Sequence, residues 1–313
     1  MLARFFSVGI LIVCASCATT MSRRAGSAAT SVIHNNIVLL DPELAKFESI
    51  GPFHTRVQLD RDITLSLSEK ASVDFFAPIA SDKAPLVVIC HGNYSGKSAH
   101  RTQAKMLATW GFNVVAFEVP NRGQWLENGA RLKRLVSFLY KSPEFLGQGI
   151  DVDRIILAGH SFGGSASIVA MGLGAPVAGA VLLDPAVVHG DVIKAMRNIP
   201  VPVALLGSDK SLFQARGRPS FFRNIQGEMI EISVAGAVHD DAQGPSVFSK
   251  SALGFDPFTS SENQGKFRSL LTASVLSIAS SGTLDFADRV IKNEKSSGSF
   301  RDYARRSQLQ QIK

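Results

Sequence analysis

The sequence predicts an α/β fold with a mostly parallel central sheet and helices on both faces. Three observations predict it. From residue 86 onward, strand-like and helix-like runs alternate, the pattern of parallel strands joined by right-handed crossovers. Leu86-Val-Val-Ile-Cys90 is apolar without a break, as a strand covered on both faces must be. Arg154-Ile-Ile-Leu-Ala-Gly-His-Ser-Phe-Gly-Gly164 reads as a buried strand and a sharp turn, and the small and apolar residues from Gly164 to Met171 follow as a helix.

Taken in order, His54–Leu59 and Ile63–Leu67 alternate with period two and predict two early antiparallel strands. Ser72–Phe76 is a strand that stops at Pro78. After the Leu86–Cys90 strand comes a helix over Arg101–Trp110, capped by Gly111, and then the strand Phe112–Phe117. A helix over Leu126–Tyr140 leads to the strand Ile155–Ala158. Beyond the sharp turn the sequence predicts strands at Val177–Leu183, Val201–Leu206 and Met229–Val234, with a helix near Val192–Arg197 and a final helix over Gln264–Ser280.

Composition bounds the class. With 313 residues and 45% hydrophobic content, the chain can bury one large core. A formal charge of +7 is mild for this length, and no basic stripe interleaved with aromatics points to nucleic acid. Of three cysteines, Cys14 and Cys17 fall in the first twenty residues, so Cys90 is left as a small core residue rather than half of a disulfide. Residues 1–18 read as an export signal: Arg4 supplies a positive start, Phe5–Val13 a short apolar core, and Ala15-Ser-Cys-Ala18 small residues for cleavage. Cys17 resembles the lipid-modified cysteine of bacterial lipoproteins, which implies membrane attachment in the periplasm; cleavage after Ala18 and secretion is the alternative. Residues 19–49 are expected as linker and N-terminal extension, 50–283 as the folded domain and 284–313 as a charged tail.

The turn at residue 161 is where chemistry is expected. Gly159-His-Ser-Phe-Gly163 matches G-x-S-x-G between a strand and a helix, a nucleophile elbow. A serine there is held in strained backbone so that its hydroxyl stands clear of the sheet, and glycines on either side remove β-carbons that would collide with strand or helix. The helix N-terminus directs free N–H groups at the place where an acyl oxygen gains negative charge.

From about residue 50 to 280 the chain resembles the α/β-hydrolases, leaning toward the branch of dienelactone hydrolases, chlorophyllases and cutinase-like polyester hydrolases. The resemblance rests on His91-Gly92, the Gly-His-Ser-Phe-Gly-Gly elbow, Leu183-Asp184-Pro185, Leu206-Gly-Ser-Asp209 and Gly236-Ala-Val-His239. It implies an α/β-hydrolase fold and a serine hydrolase of carboxylic esters with Ser161 as nucleophile. A serine hydroxyl needs a base, and the base a carboxylate to orient it. Of the seven histidines, His239 alone follows the last strand and precedes the final helix, where this fold places its base. The acid expected is Asp209, 48 residues after the serine; Asp184, ending the preceding strand, is the alternative slot. The backbone N–H groups of Phe162 and Asn93 are expected to form the oxyanion hole, with Gly92 allowing close approach.

Tyr94 and Trp125 are candidates for the cleft wall. Asp240 and Asp241, beside the base, read as acceptors that shape the loop rather than as metal ligands. Neither metal nor cofactor is expected. About sixteen residues separate Asp184 from the next strand, too few for a lid domain, so an open site for short-chain or extended esters is expected, its substrate a small-molecule or polymeric ester. An acyltransferase on the same residues, and a non-catalytic binding protein on a hydrolase fold, are the competing readings.

Overall fold

The computed structural model describes residues 30–33, 42–79, 83–119, 124–146, 149–186, 190–208, 210–211, 224–244 and 259–284. The expected export signal and residues 285–313 of the expected tail lie outside these. Among the described residues, nine strands form one sheet in the order β1-β9-β8-β7-β6-β4-β5-β3-β2. The strands are β1 (Thr30–Ile33), β2 (Thr55–Ser66), β3 (Glu69–Pro78), β4 (Ala84–Cys90), β5 (Asn113–Phe117), β6 (Ile150–His160), β7 (Gly179–Leu183), β8 (Val203–Ser208) and β9 (Met229–Val234). All neighbours pair in parallel except β2 with β3 and β3 with β5. The helices are α1 (Pro42–Ala45), α2 (Arg101–Thr109), α3 (Trp125–Lys141), α4 (Phe162–Gly172), α5 (Gly190–Met196) and α6 (Ser261–Ser281).

The unbroken apolar strands supply two cores, one on each face. Leu86, Val88, Cys90, Ile155 and Leu157 join α3, α4 and α5 in one cluster. The alternate residues Val87, Ile89, Ile156 and Ala158 join α1, α2 and α6 in the other. Period-two side-chain direction turns one apolar run into contacts for both helical layers. The final helix is set off at both ends: the Ser260 hydroxyl accepts from the Asn263 N–H, and Gly282 closes it in the left-handed region at φ 68°.

Two differences from the expected elements have local causes. The two early strands are one, β2, whose pairing with β3 shifts register between Gln58 and Arg61. Asp60 stands there at φ 52°, and its N–H donates to the buried Asp74 carboxylate. A bulge of this kind interrupts the apolar alternation without ending the strand. The segment expected as linker and extension also contributes structure. Thr30–Ile33 pairs in parallel with β9, and Leu44 and Phe47 are buried against α6 and its neighbours.

Parallel pairing brings the carboxyl ends of β4, β6, β7, β8 and β9 to one edge, where ligands of open α/β sheets bind. Register aligns them closely: Cys90 is opposite Gly159, His160 opposite Leu183, Leu183 opposite Leu206, and Ser208 opposite Val234. The connection from Asp184 to β8 contains α5 as its one described helix, in keeping with a fold that has no lid domain at this place.

Candidate active site

Ser161 links β6 to α4 with φ 53° and ψ −122°, a region that residues with a β-carbon occupy only when their surroundings impose it. Backbone bonds do so here. The Ser161 N–H donates to the Leu183 carbonyl at 3.1 Å, and the Ser161 carbonyl accepts from Gly164 and Ala186 at 3.0 Å each. Its side chain makes no capping bond to α4, which leaves the hydroxyl available at the helix N-terminus. The elbow glycines act as expected from their positions: a β-carbon at Gly163 would overlap the carbonyl oxygens of Cys90 and His91, and one at Gly159 would overlap the backbone of Gly163.

His239 opens a 3₁₀ turn, His239–Ala242, just after β9. Its Nδ1 lies 2.5 Å from Oδ2 of Asp184. Asp184 is fully buried and stands at φ 41° at the end of β7, a conformation that aspartate tolerates better than most residues. Its other oxygen accepts from the Ser208 N–H at 3.0 Å, while the Ser208 hydroxyl donates to the Val238 carbonyl at 2.8 Å. The end of β8 thus holds both the carboxylate and the chain leading into the histidine. The carboxylate that meets His239 is therefore that of Asp184, the alternative slot. Asp209, the acid expected first, lies outside the described residues.

Asp241 shapes the turn in the way its sequence suggested. Its carboxylate accepts from Val238 N–H at 2.9 Å, Ser260 N–H at 2.7 Å and the Asn263 amide at 3.3 Å, tying the turn to the start of α6. Ligand atoms of His160, His239 and Asp240 lie within 4.8 Å of one another. Each of the three residues also has a protein partner: His239 Nδ1 meets Asp184, His160 Nε2 meets the His239 carbonyl at 3.1 Å, and Asp240 accepts from Gln243 at 3.0 Å.

The loop after β4 carries His91, Gly92, Asn93 and Tyr94. Gly92 packs directly on the elbow, since a β-carbon there would lie 2.9 Å from Ser161 Cβ. Tyr94 is 69% exposed and stands at φ 54°. The loop is tied down by hydrogen bonds and ion pairs. The His91 Nδ1–H donates to the Gly92 carbonyl at 2.8 Å, and its Nε2 accepts from the Val119 N–H at 3.0 Å, with Glu118 3.1 Å from that nitrogen. Glu118 also accepts from the Lys97 N–H at 2.9 Å. Burial would raise the Glu118 carboxyl, but His91 beside it and the hydrogen bond from the Lys97 N–H hold it below its ordinary value. Lys97 pairs with Asp60 at 2.9 Å and Arg101 with the buried Asp74 at 2.6 Å.

Trp125 stacks on Phe162, the residue after the serine, with ring centroids 5.3 Å apart and an interplanar angle of 23°. Cys90, fully buried, has its thiol pushed up to about 12 by burial and by Glu118, so it offers no thiolate nucleophile. Residues that sequence reasoning passed over include Glu118, Asp74, His100, Gln103 and His160. Asp74 had a signal, a lone charge inside the apolar run Val73–Phe76.

Two of these histidines carry a stability prediction. His100 and His160 are almost wholly buried. Burial lowers His100 to about 4 and sets His160 well below its ordinary value. Below pH 6.5 the unfolded chain binds protons that the folded protein refuses, so stability is full above pH 6.5 and is lost as pH falls toward 4. His100 alone accounts for about 3 kcal/mol across that window. Tm measured at half-unit steps from pH 7 to 4 should fall steeply, and His100→Gln should flatten the fall; an unchanged slope in the variant would place the proton uptake elsewhere.

The α/β arrangement, strained serine and histidine–carboxylate pair define a class, the hydrolases of the α/β type. The chain belongs to the alpha/beta hydrolase family, whose family model matches residues 87–290. A search of curated proteins returned no match.

Proposed function

We propose that this hydrolase cleaves carboxylic esters through an acyl-enzyme on Ser161, with His239 as base and Asp184, rather than Asp209, as the carboxylate that orients it. The observation that carries this reading is the 2.5 Å contact between His239 and Asp184, at the same sheet edge as a serine in nucleophile-elbow geometry. Ser161 Oγ attacks the ester carbonyl carbon while its proton passes to His239 Nε2. The carbonyl oxygen takes the negative charge, held by the N–H groups of Phe162 and Asn93. Collapse expels the alcohol, which leaves with the proton from His239. Water, deprotonated by the same imidazole, then attacks the acyl-enzyme and releases the acid. Asp184 keeps the proton on Nδ1 and stabilises the imidazolium.

The short connection after Asp184 favours short-chain or extended esters, and the resemblance to the dienelactone hydrolase, chlorophyllase and polyester hydrolase branch agrees with an open cleft. Initial rates on p-nitrophenyl esters of increasing acyl length test the reading: activity should be highest for the shortest chains. Folded protein that turns over no ester would sink it.

Export as a periplasmic lipoprotein anchored through Cys17 is part of the same proposal, on the strength of the leader and its Ala-Ser-Cys-Ala stretch. Cys17→Ser should move the full-length protein from the membrane fraction to the soluble one, whereas an unchanged distribution would argue against lipidation.

A further inference from the structure

We propose that His160, backed by His100 and Gln103, is a positioning device that fixes the turn carrying His239 relative to the nucleophile. This rests on the reading of His239 as the base. The turn is held at both ends by side chains from outside it. The His160 Nε2–H donates to the His239 carbonyl at 3.1 Å. The Gln103 amide of α2 donates to the Ala242 carbonyl at 3.0 Å. Just beyond, the Gly244 N–H donates to the Ala99 carbonyl at 3.0 Å.

These partners fix every proton in the chain of contacts. A carbonyl can only accept, so His160 carries its hydrogen on Nε2 and leaves Nδ1 bare. Gln103 must turn its amide nitrogen to Ala242, so its oxygen faces His100 Nδ1 at 2.5 Å, and that nitrogen carries the hydrogen. His100 Nε2 is then bare as well. Both bare nitrogens are buried without a hydrogen-bond partner among the described residues, and the two rings lie 6.1 Å apart. Leaving two such atoms unsatisfied costs free energy, a cost that apolar residues would avoid. What imidazole supplies in exchange is the bond to the His239 carbonyl together with a flat face for its ring.

The face matters because the His160 ring lies tilted against that of His239, with centroids 4.5 Å apart and an angle of 35°. The base is thus held on one ring edge by Asp184, on one ring face by His160 and at its carbonyl by the same His160. His160 is also the residue immediately before Ser161. One short piece of β6 therefore sets the nucleophile with one residue and the base with the preceding one, so that movement of the strand end carries both together. Burial keeps the His160 ring neutral beside His239, His100 and His91, so it adds no charge to compete with the imidazolium that forms on His239.

The test uses the full-length protein and three variants. His160→Phe keeps a flat ring and loses the donor. His160→Gln keeps a donor near the Nε2 position and loses the ring. Gln103→Leu releases the far end of the turn and leaves His160 and Ser161 themselves unchanged. His160→Phe should remain folded and lower kcat about 100-fold, the scale of a small misplacement of catalytic groups, with KM within about three-fold. His160→Gln should recover about ten-fold of that loss, and Gln103→Leu should cost about ten-fold in kcat alone. A His160→Phe protein with kcat within about three-fold of the parent, a loss confined to KM, or a Gln variant no better than Phe would overturn the proposal. A second measurement needs no turnover: the proton on His239 Nδ1, observed by NMR, should exchange with water faster in His160→Phe and Gln103→Leu than in the parent. If the parent hydrolysed no ester, the proposed reaction would fail while this proton still reported on the brace, and equal exchange in all proteins would overturn the brace itself.

Discussion

Ser161→Ala should lower kcat for p-nitrophenyl acetate by about a million-fold while leaving the fold intact, because the proposed acyl-enzyme forms on the hydroxyl that the variant removes. Cys90 is buried with its thiol held protonated, and Tyr94 on the neighbouring loop is 69% exposed. Stability should barely change. The backbone bonds that impose φ 53° come from Leu183, Gly164 and Ala186, and none involves the hydroxyl, which also caps nothing in α4. Alanine keeps the same β-carbon against Gly92. His239→Ala should cost about as much, and the double variant little more than either, since the residues act as one unit. Residual rate above water, about a thousand-fold or more, would come from the backbone donors and from binding. A fluorophosphonate adduct found by mass spectrometry on the peptide containing Ser161, and absent in the alanine variant, gives the same answer without an ester. Turnover retained in Ser161→Ala would remove the elbow from the reaction.

The parts of this site that were legible in the sequence are those fixed by short-range backbone demands. Gly159, Ser161 and Gly163 are readable because the turn admits few other residues, and Gly92 because a β-carbon there would lie 2.9 Å from Ser161 Cβ. The sheet was readable for a similar reason, since continuous apolar runs such as Leu86–Cys90 suit strands covered on both faces. What was not legible depends on long-range geometry. Both Asp184 and Asp209 follow apolar runs that read as strands, and one-dimensional spacing does not say which carboxylate turns toward His239. The contact with His239 is made by Asp184, which stands at φ 41° with the Ser208 N–H steadying its other oxygen. Gln103 was passed over because the carbonyl it holds, that of Ala242, lies far along the chain. The bulge at Gln58–Arg61 was misread as a gap between strands because it interrupts alternation as a turn would.

Asp184→Asn should lower kcat about ten-thousand-fold with the structure nearly unchanged, and the hydrogen bonds around it say why. The Ser208 N–H needs an acceptor and meets Oδ1 of Asp184 at 3.0 Å. In the variant the amide oxygen must take that place, so the amide nitrogen is turned toward His239 Nδ1. A donor there forces Nδ1 to accept, and the imidazole proton moves to Nε2, the nitrogen that has to receive the serine proton. The base is then in the wrong tautomer, and no carboxylate remains to stabilise the imidazolium. KM should change little, because the loss falls on a step after binding. Asp209→Asn made in parallel should stay within about ten-fold of the parent, and NMR of His239 should show its proton on Nε2 in the first variant and on Nδ1 in the second. A larger loss in Asp209→Asn than in Asp184→Asn would move the orienting role to the later strand and leave Asp184 as a buried anchor between β7 and β8.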